Sequence, residues 1–241
     1  MIQTVISIVW VVFATTFFGL LAILTSFFSR TGNAVHIVAR IWGYSILLAS
    51  RVRVTVVGQE NFDPSRPYIF MSNHQSNFDI PVLLAHLRCQ FRWLAKAELF
   101  KIPIFGRGMR GAGYIPIDRS DRRAAIRSLQ TAAATIRNGS SVMIFPEGTR
   151  SLDGELRSFK KGGFVLAVDA GVPIVPMIIH GTFPIMPKSG LRIRPGRVCV
   201  EVLEPIETAP YSRKQKEELL QIVRDRMLAA HARAKEEGRP C

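Results

Sequence analysis

The first 59 residues of this 241-residue chain contain no acidic side chain, and the first 29 contain no charged side chain at all. Cysteine is also scarce. Cys89, Cys199 and Cys241 lie far apart, without a C-x-x-C pair, so the sequence predicts no structural metal site. A Gly-x-Ser-x-Gly elbow and a cysteine beside a base are both missing. A covalent intermediate on a serine or cysteine would therefore have no obvious carrier.

The uncharged N-terminus contains an apolar run, Val5–Phe28, that is long enough to cross ~30 Å of hydrocarbon as a helix. The alternative is a cleaved signal peptide, but no Lys or Arg precedes the run, as a signal peptide would require. A second apolar stretch, 34–49, is interrupted by His36 and Arg40, which favours a helix at the membrane interface, or one hairpinned with the first, over a second crossing. We expect an N-terminal membrane anchor with an interfacial helix (residues 1–50) and a second unit over residues 51–241.

Positive charge dominates the rest of the chain, whose formal net charge is +14. Nucleic acid is one candidate partner for such a protein. With an anchor present, anionic lipid head groups and an anionic substrate account for the charge, so we expect membrane lipids and no nucleic acid as partners. Arginines follow the anchor before any acid appears, which predicts an inner, cytoplasmic membrane with the domain on its cytoplasmic face.

Short β-branched runs alternate with helical patterns after residue 51, which predicts an α/β fold with a mixed, largely parallel sheet flanked by helices. The predicted strands are Val52–Val57, Tyr68–Met71, Gln90–Leu94, Tyr114–Ile117, Val142–Phe145, Ile174–Ile179 and Val198–Val202. One predicted helix ends at Asn138-Gly139, and another runs from Phe164 to Ala170. A capping box, Ser212-x-x-Gln215, opens a C-terminal amphipathic helix.

His74 and Asp79 follow the second predicted strand, at the end where α/β folds bind ligands. On a regular helix, side chains five positions apart point about 140° away from each other. The two can meet only if His74 lies in the turn before the helix. A carboxylate there would fix the tautomer of His74 and raise its basicity, as a general base requires. The spacing alone is more often a capping carboxylate and a surface imidazole.

Two further loops carry polar residues behind predicted strands. Pro146-Glu147-Gly148-Thr149-Arg150-Ser151 reads either as a turn with a solvated charge pair or as a phosphate-binding loop. In the second case Glu147 would bond a substrate hydroxyl or hold Arg150. Arg119 follows the end of another predicted strand, where Arg122, Arg123 and Lys96 would add further cations, although a run of charges is usually a solvated face.

Together these motifs resemble the 1-acyl-sn-glycerol-3-phosphate acyltransferase family, within the wider glycerolipid acyltransferases. The resemblance runs from about residue 52 to 205 and is carried, in the family's order, by Asn73-His74-Gln75-Ser76-Asn77-Phe78-Asp79, Gly113 through Arg119, Phe145-Pro146-Glu147-Gly148-Thr149-Arg150-Ser151 and Val172-Pro173-Ile174-Val175-Pro176. Pro-Glu-Gly-Thr-Arg-Ser is the most specific of them.

The resemblance implies an enzyme of phospholipid biosynthesis that moves a fatty acyl group from acyl-CoA or acyl carrier protein to the sn-2 hydroxyl of lysophosphatidic acid, with no bound cofactor. It implies that His74 is the base and Asp79 orients it, with no metal involved. The implied substrate-binding residues are Arg119, Glu147, Gly148, Thr149, Arg150 and, more weakly, Lys96.

Other readings of the sequence stay open. Glycerol-3-phosphate, dihydroxyacetone phosphate or another lysolipid could be the acceptor, because the motifs do not separate these sharply. A non-catalytic basic protein of the membrane surface would need neither His74 nor any turnover. A hydrolase would need the nucleophile that the sequence lacks.

Overall fold

The computed structural model describes residues 1–118 and 120–236, and of Arg122 it describes the backbone alone. Within them the chain forms eight α-helices and seven β-strands. The helices are α1 (Ile2–Ser26), α2 (Asn33–Ala49), α3 (Asp79–His86), α4 (Phe105–Gly111), α5 (Arg122–Arg137), α6 (Gly162–Ala170), α7 (Thr182–Ile185) and α8 (Lys216–Glu236). The strands are β1 (Val52–Val57), β2 (Ile69–Ser72), β3 (Phe91–Lys96), β4 (Ile115–Ile117), β5 (Ser141–Ile144), β6 (Ile174–His180) and β7 (Gly196–Val202).

The strands form one sheet in the order β1-β7-β6-β2-β5-β3-β4. Every neighbouring pair is parallel except β6 and β7. The predicted mixed, largely parallel sheet is confirmed, and each predicted strand lies within two residues of its observed bounds. β2 lies between β6 and β5, so the loops that leave its carboxyl end meet those of β5 and β6.

Successive side chains of the central strands point to opposite faces of the sheet and pack into two hydrophobic cores, one on each face. Phe70 of β2 packs on the face covered by α1–α4, whereas its neighbours Ile69 and Met71 pack on the other face, with α5, α6 and α8. Full burial of such side chains stabilises the fold by ~1.5–3 kcal/mol each. The predicted amphipathic character of the C-terminal helix is confirmed in α8, whose apolar residues Leu219, Val223, Met227 and Ala230 are buried in this second core.

Local signals end or begin the helices as the sequence predicts. α5 ends at the cap Asn138, followed by Gly139 with φ of 85°, and α6 ends at Gly171 with φ of 66°. The capping box between Ser212 and Gln215 is present and opens a short 3₁₀ turn that leads into α8.

The two N-terminal helices form an antiparallel pair that packs against the sheet domain. Gln3 of α1 donates to the carbonyl of Ala49 at the end of α2, and the indole of Trp42 donates to the Thr15 hydroxyl (3.1 Å). α2 lies on α3 at Gly43, where a Cβ would lie 3.0 Å from the Pro81 carbonyl oxygen, so a larger residue would push the two helices slightly apart. α1 is the one helix among the described residues that is long and apolar enough to cross a membrane, with a mean hydropathy of 2.3.

Candidate active site

His74 and Asp79 meet at the carboxyl end of β2. The strand ends at Ser72, the chain turns, and α3 begins at Asp79, which places the carboxylate in the first helical turn. The Nδ1 of His74 lies 2.7 Å from the Oδ2 of Asp79. Asp79 is fully buried, and the His74 side chain is 16% exposed. The sequence prediction that His74 lies in the turn and reaches over the first helical turn describes this geometry.

The Asp79 carboxylate is held on both oxygens. Besides His74, Oδ2 accepts the backbone N–H groups of Gln75 (2.7 Å) and Ser76 (2.9 Å). Oδ1 accepts the hydroxyl of Thr182, at the start of α7, over 2.5 Å. Because the carboxylate accepts from Nδ1, the proton of the neutral imidazole lies on Nδ1, and Nε2 is the nitrogen with a free lone pair.

Side chains between His74 and Asp79 bind the turn to neighbouring elements through hydrogen bonds. The side chain of Ser76 donates to the carbonyl of Met186 (2.7 Å), and that of Gln75 donates to the carbonyl of Gly154 (2.6 Å). Just before the turn, the amide of Asn73 exchanges two hydrogen bonds with the backbone of Ile179 in β6. The turn is thereby bound to β6 and to the loop after β5, which limits the freedom of the imidazole.

Phe145, directly after β5, forms the floor under the histidine. Its ring is parallel to that of His74, with centroids 3.9 Å apart, and Trp93 of β3 packs behind it at 5.3 Å. These stacked rings fix the plane of the imidazole and give it an apolar wall.

Glu147 joins the two loops instead of pointing at Arg150 or into open space. It is buried, its Oε1 accepts the backbone N–H of His74 (2.8 Å), and its Oε2 accepts that of Arg157 (3.1 Å). Burial raises the pKa of Glu147 to about 7, opposed in part by these two hydrogen bonds. The sequence expected Glu147 to bond a substrate hydroxyl or Arg150, whereas here both of its oxygens accept backbone amides of the chain itself.

Thr149 and Arg150 lie at the mouth of the cavity beside His74, together with Gly148. The Gly148 N–H donates to the Phe145 carbonyl (3.0 Å). Lys188, which sequence reasoning missed, donates to the Thr149 hydroxyl (3.1 Å) and approaches the Arg150 carbonyl (3.4 Å). Two cationic side chains therefore lie in or against this loop.

Of the other two predicted binding residues, Lys96 and Arg119, the structure describes only Lys96. Lys96 ends β3, borders the same cavity and forms an exposed ion pair with Glu98 (3.2 Å). Arg119 lies outside the described residues, so its predicted role stays a prediction.

An apolar cavity of about 390 Å³ begins at His74 and runs between the sheet and the N-terminal helices. Its polar end carries His74, Asn77, Thr149 and Arg150. The remainder is lined mainly by apolar or small residues of α1, α2 and α4, among them Phe18, Ala22, Val38, Trp42, Phe105 and Met109. The volume is that of a site for a small molecule, and the lining suits a hydrocarbon chain.

Metal-ligating side chains do not gather at this site. Within residues 1–118 and 120–236, no group of three or more His, Cys, Asp and Glu side chains is placed to hold a metal ion. Cys89 is buried away from the cavity, and burial raises the pKa of its thiol to about 12, which makes it a poor nucleophile.

Comparison with known proteins places these features among acyltransferases. A family model described as "Acyltransferase" matches residues 53–180. A 1-acyl-sn-glycerol-3-phosphate acyltransferase of Chlamydomonas reinhardtii is 40% identical over 171 residues, 70% of this chain and 51% of that protein. One of Saccharomyces cerevisiae is 36% identical over 217 residues, 88% of this chain and 71% of that protein.

A solved structure is similar over nearly the whole chain. The 1-acyl-sn-glycerophosphate (LPA) acyltransferase PlsC from Thermotoga maritima superposes with a TM-score of 0.83 at 30% identity, covering 97% of this chain and 95% of that one. The chain spans about half the length of the first curated relatives that it matches.

Proposed function

Because the chain belongs to the 1-acyl-sn-glycerol-3-phosphate acyltransferase family, we propose that it transfers a fatty acyl group from a thioester to the sn-2 hydroxyl of lysophosphatidic acid, giving phosphatidic acid. The observation that carries the proposal is the pair of His74 and Asp79 at the mouth of an apolar cavity. Acyl-CoA or acyl carrier protein serves as the thioester donor, and no bound cofactor or metal takes part.

His74 acts as the general base through Nε2. As the lysolipid hydroxyl attacks the thioester carbonyl, the hydroxyl proton moves to Nε2. The C–S bond then breaks, and the leaving thiolate takes this proton from Nε2. Asp79 keeps the Nδ1–H in place and stabilises the imidazolium that forms between these steps. The attacking oxygen belongs to the lipid, which agrees with the missing serine elbow.

The polar end and the apolar remainder of the cavity bind different parts of the substrates. Arg150, with Lys188 and the Thr149 hydroxyl beside it, supplies cationic and hydroxyl donors for the glycerol phosphate. Lys96 and Arg119 stay candidates for the same group. The apolar remainder of the cavity receives a fatty acyl chain, whose burial there is favourable by ~0.8 kcal/mol per CH₂.

The chain works at a membrane surface, with α1 lying in one leaflet. One face of α1 exposes a stripe of large apolar side chains that includes Val9, Phe13, Phe17, Leu20 and Leu24. The opposite face contacts the chain's own domain from end to end, since Thr4 bonds the backbone of Ile193 and Ser26 packs against Gly111. A helix that contacts the chain's own domain along its length cannot cross the bilayer without drawing that domain into the hydrocarbon.

The first experiment measures acyl transfer by the detergent-purified full chain. Labelled palmitoyl and oleoyl thioesters of coenzyme A and of acyl carrier protein are offered with lysophosphatidic acid or glycerol-3-phosphate. Wild type is expected to make phosphatidic acid, and His74→Ala to lose ~10²- to 10⁴-fold in turnover. The matched control is His86→Ala, which removes an imidazole from the other end of α3.

Each outcome assigns or rejects a role. Full activity in His74→Ala would reject the base. Transfer to glycerol-3-phosphate in place of lysophosphatidic acid would reject the acceptor and keep the reaction. No transfer to either acceptor by the folded chain would reject both and point to another lysolipid. If other lysolipids also fail while salt-sensitive lipid binding is intact, the non-catalytic reading is supported instead.

A further inference from the structure

A second pocket, rich in arginine, opens at the far end of α1. It is an open depression of about 500 Å³ lined by the end of α1, the α1–α2 loop and the outer side of α4. Its polar side chains are Ser26, Ser29, Arg30, Thr31, Arg107 and Arg110. Gly113, which also lines it, precedes β4, so the pocket lies at the amino edge of the sheet, whereas His74 lies at the carboxyl edge.

The positive charge of this pocket has no carboxylate to balance it. None of the ion pairs formed within residues 1–118 and 120–236 involves Arg30, Arg107 or Arg110. All three side chains are exposed. Three guanidinium groups and the Ser29 hydroxyl line one depression and match the oxygens of a phosphate group, which arginine binds in a bidentate manner.

A buried arginine behind the pocket, Arg92, adds to its positive charge. Arg92 is 2% exposed, and within the described part of the chain its guanidinium donates to neutral oxygens, those of the Thr31 and Phe91 carbonyls and of the Asn33 and Gln90 side-chain amides. It reaches the pocket wall, because a Cβ on Gly113 would lie 3.2 Å from its Nε. A buried charge that only neutral groups solvate is costly, and a nearby anion would offset that cost.

The surroundings favour a lipid phosphate over a dissolved one. Phe27 and Phe28 lie in the chain between the lining residues Ser26 and Ser29, and they are 79% and 83% exposed. Exposed aromatic rings beside arginines are typical of the depth at which lipid head groups lie. The apolar stripe of α1 leads to this point, so a chain seated in one leaflet would hold the pocket at head-group level.

We propose that Arg30, Arg107 and Arg110, with Ser29, form a binding site for the phosphate of an anionic membrane lipid, separate from the acyl-transfer site. α4 connects the two sites physically. Its Gly108 and Met109 line the apolar cavity, while Arg107 and Arg110 line the arginine pocket. A lipid held there seats α4, and with it one wall of the cavity, against the membrane.

The test measures binding by the detergent-purified full chain in neutral micelles, which does not depend on acyl transfer. Dioctanoyl phosphatidylglycerol, dioctanoyl phosphatidylcholine and inorganic phosphate are titrated separately, and the apparent Kd is taken from the rise in Tm. We expect phosphatidylglycerol to bind more tightly than the zwitterionic lipid of the same chain length, and Arg107→Gln with Arg110→Gln to weaken it about tenfold.

The matched control is Arg127→Gln with Arg137→Gln, which removes the same charge from the exposed side of α5 and should change the Kd less than about twofold. The pair Arg107→Lys with Arg110→Lys keeps the charge but loses the paired N–H donors of the guanidinium groups, so this variant should bind phosphatidylglycerol with intermediate affinity. Equal losses in the two Gln pairs, or no loss in the first pair, overturn the site. Protection by inorganic phosphate as strong as that by the lipid, and lost in the first pair, overturns the lipid as its ligand.

Discussion

The hydroxyl of Thr182 donates to the Oδ1 of Asp79 over 2.5 Å, from a position 103 residues further along the chain. Both groups are fully buried. Thr182 begins α7, just after β6, and Asp79 begins α3, just after the turn that follows β2. The carboxylate behind His74 is thus fixed from two neighbouring strands of the sheet. Thr182 touches no reacting atom and acts through Asp79 alone.

Thr182→Val should lower kcat about tenfold and leave KM for both substrates nearly unchanged. Valine fills the same space but donates no hydrogen bond, and a hydrogen bond to a charged group contributes about 1.5–3 kcal/mol. The carboxylate can then rotate, and the imidazole loses its fixed orientation. Steady-state kinetics at saturating donor measure the effect.

The controls separate positioning from stability. Thr182→Ser restores the donor and should recover most of kcat. Thr208→Val removes another buried hydroxyl, which donates to the carbonyl of Val172, and should lower Tm without changing kcat. If Thr182→Val keeps wild-type kcat, the hydrogen bond has no part in positioning the base.

Glu147 gives the folded state a pH dependence of its own. Burial raises its pKa to about 7 from an unfolded value near 4.5, so between these values the unfolded chain releases the proton first. Stability therefore falls as pH rises through this window, by an amount on the order of 3 kcal/mol from this group. Glu147→Gln cannot ionise and should lose this component.

Urea unfolding of the detergent-solubilised chain at pH 5, 6, 7 and 8 checks the sign. At pH 5 the protonated carboxyl can still accept on both oxygens, whereas the NH₂ group of glutamine cannot accept, so Glu147→Gln should be less stable than wild type at this pH. The difference should shrink toward pH 8, where wild type carries a buried charge. A difference that grows with pH would contradict the raised pKa.

The sequence predicted what is local and could not predict what depends on strand order. Strand positions and the reach of His74 over the first turn of α3 follow from periodicity and helix geometry. Thr182 and Lys188 carry no motif, and they join the site because β6 lies beside β2. Glu147 and Arg150 are close in sequence, but the direction of the Glu147 side chain is set by burial, which spacing does not encode.

Ala39→Leu should shift the acyl preference toward shorter chains. Ala39 lies in α2 and lines the apolar cavity of about 390 Å³, so three added carbons fill space that the acyl chain would occupy. A mixture of C14, C16 and C18 thioesters competing for one acceptor reports the preference directly. Ala34→Leu, exposed on the same helix, is the control and should leave the product ratio unchanged. An unchanged ratio in Ala39→Leu would place the acyl chain elsewhere.

Arg150→Lys should raise the KM for lysophosphatidic acid about tenfold with little change in kcat. Arg150 lies at the polar end of the cavity, and Lys188 already supplies a point charge against the same loop. Lysine at position 150 keeps the net charge but loses the two parallel N–H groups that match phosphate oxygens. Binding of this kind is equal in the ground and transition states, so its loss affects KM before kcat. Arg53→Lys, exposed on the edge strand β1, makes the same exchange far from the cavity and should behave as wild type. A fall in kcat at unchanged KM would mean that Arg150 acts on the transition state of the transfer and not on the bound phosphate.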